Sequence, residues 1–137
     1  MLQAENAAPY LIAKPLGDYK KLNGLLAALQ GYGYAVEVVS WLAKGKTTKQ
    51  FDSAVRKNKR AWLRKYYPAI DLNNVHVVKH GTNKWRVSNY KGGILFDDES
   101  GNVHAWQRDT SSGKAVRIKD DTTLLDALES LIIQELE

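Results

Sequence analysis

Nine lysines and arginines fall between residues 44 and 65 (Lys44, Lys46, Lys49, Arg56, Lys57, Lys59, Arg60, Arg64 and Lys65), against one acid, Asp52. Ammonium and guanidinium groups at this density suit the holding of phosphates, by charge and by forked N–H donors. At 3.6 residues per turn, Lys49, Arg56, Lys57, Arg60 and Arg64 share one face of a helix. Phe51, Val55, Trp62 and Tyr66 share the opposite face. A helix that docks by the second face shows the first to solvent. Arg56, Arg60 and Arg64 are therefore expected to carry phosphate contacts, supported by Lys46, Lys49 and Lys57. The implied partner is nucleic acid, duplex DNA ahead of RNA. The grip is expected on the backbone, because every side chain on the outer face reads as Lys or Arg and none as Asn or Gln, and Asn58 falls on the apolar side. The same face also suits an acidic protein partner, which would make the chain an interaction module, a regulator or inhibitor.

Other residue types could do chemistry. His76, Lys79, His80 and Arg86 supply the groups of a ribonuclease-like acid–base site. Metal binding fits them poorly. There is no cysteine, and on a strand His76 and His80 stand roughly 13 Å apart. His104 falls on a separate segment. Trp85, Arg86 and Tyr90, with Trp106 and Arg108, could stack bases on a sheet, but Trp85 and Trp106 read better as inward residues of a half-buried sheet. Asp97 to Asn102 lacks the distal Glu of a calcium loop and reads as a hairpin turn. No glycine-rich phosphate loop, serine elbow or carboxylate pair is present. The sequence thus assigns no catalytic residue, no metal site and no cofactor, and it weighs against an enzyme.

These groups need elements to position them. Asp18 can cap a helix reaching about Gln30, with Leu22, Leu25, Leu26 and Leu29 on one side and Gly31 at its end. Tyr34 to Lys44 fits either a helix, with Ala35, Val38, Val39 and Leu42 on one face, or an alternating strand; its length and Gly45 favour the helix. Two helices about Gly45 have the outline of a helix-turn-helix, although Trp41 sits where a small residue normally lets the helices cross. Thr47 with Gln50 predicts a capping box for the basic helix, and Pro68 its end near Tyr67.

Beyond Asp71 the period falls to two. Residues 75–80, 84–91, 93–96, 103–108 and 115–119 read as strands joined by short turns, hence antiparallel. Thr123 with Asp126 predicts a second capping box, opening a last helix with Leu124, Leu128, Leu131, Ile132 and Leu136 on its apolar side. The expected fold is α+β: a helical N-terminal half, then a four- or five-stranded antiparallel meander covered by a C-terminal helix. It forms one domain over 1–137, with a helical lobe at about 18–67 and the meander and helix at about 74–136.

Composition agrees with a folded chain, 44% apolar with four tryptophans. Residues 1–70 hold 12 basic and 4 acidic groups, and residues 71–137 hold 8 and 11, so the net charge of +5 conceals a basic half and a mildly acidic one. Residues 1–9 read as frayed and Tyr10 to Ala13 as a short extended piece. Met1 to Pro15 lacks a secretory signal pattern, and no run nears the roughly 18 apolar residues of a membrane span. The expected setting is cytoplasmic, and no membrane partner is expected.

Overall fold

The computed structural model describes residues 18–137; the readings of 1–9 as frayed and of 10–13 as extended fall outside them. Helix α1 (Tyr19–Gly31) starts at Asp18, whose side chain accepts from the Lys21 N–H 3.0 Å away. Strand β1 (Val38–Trp41) follows, then helix α2 (Lys49–Tyr66) and strand β2 (Val75–Val78), after a single 3₁₀ turn at Leu72–Asn74. β1 and β2 pair in parallel, Val38 opposite Val75 and Trp41 opposite Val78. The same plan recurs on a smaller scale. After the one-turn helix α3 (Lys84–Val87) come strand β3 (Leu95–Asp97), helix α4 (Ser100–Asp109) and strand β4 (Ala115–Arg117), with β3 and β4 again parallel. Helix α5 (Asp121–Leu136) closes the chain and packs on α1.

The antiparallel meander is therefore wrong. The described strands form two separate two-stranded sheets, each parallel. The physical reason lies in the connections. Residues 103–108, expected as a strand, are helical, with Val103 and Trp106 buried at a spacing of three. Residues 84–91 become a helical turn and a bend. A helix between two strands carries the chain back to the starting end of the sheet, and that makes the pair parallel. Tyr34 to Lys44 is also corrected, from helix to β1. Three valines in four positions favour the pleat over the helix. With β1 a strand, no helix-turn-helix exists around Gly45; that glycine, at φ +94°, turns the chain from β1 toward α2.

The caps shift as well. Thr48, one residue beyond Thr47, caps α2 by accepting from the Phe51 N–H at 3.0 Å, while the Thr47 hydroxyl donates to Asp52. Asp120, rather than Thr123, caps α5 and accepts from the Thr123 N–H at 2.8 Å. Burial of α2 on the first sheet makes the main core. Phe51 and Val55 meet Leu42, and Tyr67, Ile70 and Val75 gather Leu22, Leu26, Val38 and Trp62. Among the described residues, no helix is long and apolar enough to cross a membrane.

Candidate nucleic-acid interface

The 18 residues of α2 divide by exposure, with the half-buried Arg60 as an exception on the basic side. Phe51 and Val55 are buried, and Trp62 and Tyr66 are half-buried on the same side. Lys49, Arg56, Lys57 and Arg64 are exposed on the other, as is Lys46 in the loop before the helix. Gln50, Ser53 and Ala61 share that outer face, so the basic row is not continuous. From Lys49 to Arg64 the row runs about 22 Å at 1.5 Å per residue. The one acid of the helix, Asp52, is held by the Thr47 hydroxyl at 2.6 Å. None of the ion pairs between described residues uses Lys46, Lys49, Arg56, Lys57, Arg60 or Arg64.

Two of the expected phosphate contacts have a structural task too. Leu42 donates to the Val78 carbonyl, so β2 turns Val78 toward β1. Alternation then directs the carbonyls of Val75 and Val77 away from β1. Arg60 donates to Val75 O at 3.3 Å, and Arg56 donates to Val77 O at 3.1 Å. The arginines thus cover the edge of β2 that faces away from β1, whose carbonyls need a donor. A guanidinium has five donors, so Arg56, which remains exposed, keeps N–H groups for a phosphate. Arg60 is half-buried and more committed.

Lys59 serves the opposite edge. Its ammonium donates to the Ser40 hydroxyl at 2.7 Å and to the Trp41 carbonyl at 2.6 Å. Burial, with repulsion from Lys84, lowers its pKa from 10.5 to about 8. Lys84 in turn donates to Asp97 at 2.8 Å and lies over the Trp41 ring, 5.4 Å from its centre.

The histidines have other neighbours than a ribonuclease site requires. His76 Nε2 meets Glu37 Oε2 at 3.0 Å. Glu37 also accepts from the Ser88 hydroxyl and from the Asn89 N–H at 3.1 Å. Serine, histidine and a carboxylate are all present, but the serine gives its proton to the carboxylate instead of the imidazole, which is the wrong wiring for a nucleophile. His80 packs against Trp41 in a tilted arrangement with ring centres 4.7 Å apart, and His104 is exposed on α4. Lys79 is exposed in the turn after β2, and Arg86 lies over the Trp85 ring. Sequence reasoning missed Glu37 as a hub. The available signal was one acid within Val36 to Val39, a position that a strand must bury on one face. Among the described residues, no group of three or more His, Asp or Glu side chains gathers to hold a metal ion.

No family model, curated protein or solved structure matches the chain.

Proposed function

We propose that the protein binds nucleic acid, duplex DNA in the first place, through the phosphate backbone laid along the outer face of α2. The observation that carries this reading is the placement of Lys49, Arg56, Lys57 and Arg64, exposed on one helix whose opposite side is buried in the core. Lys46 extends the row toward the loop. A straight basic row suits a polyanion with regular charge better than a single small anion.

The test is fluorescence anisotropy with labelled duplex DNA, single-stranded DNA and RNA, titrated at several salt concentrations. Replacing Arg56, Arg60 and Arg64 together would also strip the β2 edge, so the informative variant is Lys49→Ala/Lys57→Ala/Arg64→Ala. With about five phosphates neutralised, log K falls against log salt with a slope of about −4 to −5 on duplex DNA. The triple variant should flatten that slope by about 2 to 3 and weaken binding alike across sequences. Absence of binding at low salt would overturn the reading and leave an acidic protein as the partner to seek.

A further inference from the structure

Beneath the basic face, α2 carries an arrangement that nucleic-acid binding does not use. Ser40 Oγ and Lys59 Nζ are 2.7 Å apart, and the Trp41 carbonyl fixes the same Nζ from 2.6 Å. A hydroxyl within hydrogen-bond reach of an amine that a third group orients is the geometry of an activated nucleophile. Both residues are partly exposed, so the pair is not sealed in the core. We propose that Ser40 and Lys59 form a nucleophile–base pair that accepts an acyl group from an activated carboxylic ester.

The base must be neutral to act. Burial and the nearby Lys84 bring Lys59 to about 8, so a working fraction is unprotonated near neutral pH. Lys84, itself paired with Asp97, is a charged neighbour of Lys59, and His80 packs on the ring of Trp41, the residue whose carbonyl holds Lys59. As an ammonium, Lys59 donates to both Ser40 and Trp41. As an amine, it keeps one N–H on the Trp41 carbonyl and turns its lone pair to the Ser40 hydroxyl.

The chemistry then balances. Ser40 Oγ bonds to the ester carbon, its proton passes to Nζ, and the carbonyl electron pair moves to oxygen. Collapse of that oxyanion breaks the ester bond, and the departing alkoxide takes the proton from Lys59, leaving acyl-Ser40. Water then gives a proton to the Lys59 amine as it adds to the acyl carbon. Ser40 regains that proton as the carboxylic acid leaves. Strand alternation turns the Trp41 N–H away from β2, toward the edge where Lys59 meets the Trp41 carbonyl. The N–H of the residue after the nucleophile is thereby offered to the oxyanion.

The experiment follows p-nitrophenyl acetate hydrolysis and fluorophosphonate labelling of the full chain, with peptide mass mapping, from about pH 6.5 to about pH 9.5. Wild type is compared with Ser40→Ala, which retains the Lys59 contact to Trp41, and with Lys59→Met. A Ser40 adduct is expected, with a rate that levels off above about 8 and falls about 100-fold or more in Ser40→Ala. No adduct on Ser40, the same hydrolysis in Ser40→Ala, or a rate that climbs with pH without levelling would overturn the proposal. So would equal labelling of Ser40 in folded Lys59→Met. Where that variant does not fold, the wild-type pH profile decides.

Discussion

A lysine held under a helix does two opposed things. The Lys59 ammonium satisfies the Trp41 carbonyl, a buried acceptor that needs a donor, and it loses part of its hydration in doing so. The outcome is a pKa lowered from 10.5 to about 8. Below about 8 both the folded and the unfolded chain carry the proton, and the folded state bears the cost of burying it. Between about 8 and 10.5 the unfolded chain still holds a proton that the folded chain has released, so stability rises with pH through this window. Lys59 is only partly buried, and after discounting for solvent screening the gain is about 1 kcal/mol. Tyrosines and other lysines titrate nearby, so the readout is a difference. Between about pH 7.5 and about pH 10, wild type should gain stability over Lys59→Met in urea unfolding. A gap that stays constant would mean that Lys59 keeps its proton and its water.

At the scale of the element, α2 is both scaffold and surface, and neighbouring arginines fall on different sides of that division. Arg60 donates to Val75 O at the β2 edge, whereas Arg64 stands one turn on and exposed. Arg60→Ala should cost about 1–2 kcal/mol in chemical denaturation, because it leaves the Val75 carbonyl without its donor. Arg64→Ala should change stability by no more than about 0.5 kcal/mol and lower the salt slope of DNA binding by about 1. Equal stability losses in both variants would contradict the division. The basic face was legible because a helix of 18 residues repeats its period five times over. The roles within it were not, since which β2 carbonyls face the arginines depends on how β2 pairs with β1, and spacing along α2 does not show that pairing. Short segments failed for a related reason. In Val103 to Arg108, Val103 and Trp106 fit the helical spacing, yet six residues also allow the alternation of a strand. Tyr34 to Lys44 erred in the other direction, its valines outvoted by its length. Together with residues 84–91, a helical turn where a strand is expected, these segments exchange antiparallel for parallel strands, because pairing sense depends on what lies between the strands.

At the scale of the molecule, the two β–α–β units must be joined, and one buried ion pair lies at the junction. Lys84, on α3, packs over Trp41 of the first unit and donates to Asp97 at the end of β3 in the second. The Asp97 side chain is only 4% exposed and also accepts from the Glu99 N–H at 2.9 Å and from Asn102 at 3.3 Å. That carboxylate therefore both fixes the turn leading into α4 and ties the units together. A buried pair of this kind contributes little net attraction compared with an apolar pair, but losing one partner strands the other charge. Asp97→Ala should accordingly cost about 3–5 kcal/mol, and Lys84→Met about 2–3 kcal/mol, since the remaining donors still serve Asp97. The double variant Lys84→Met/Asp97→Ala should fall well short of the sum of its singles, with a coupling of about 1.5–3 kcal/mol. Urea denaturation of the four chains, followed by tryptophan fluorescence and circular dichroism, measures that coupling. Additive losses would show that the pair does not join the units. Loss of coincidence between the two probes in the single variants, with the second unit melting first, would show that this contact makes the two units unfold as one.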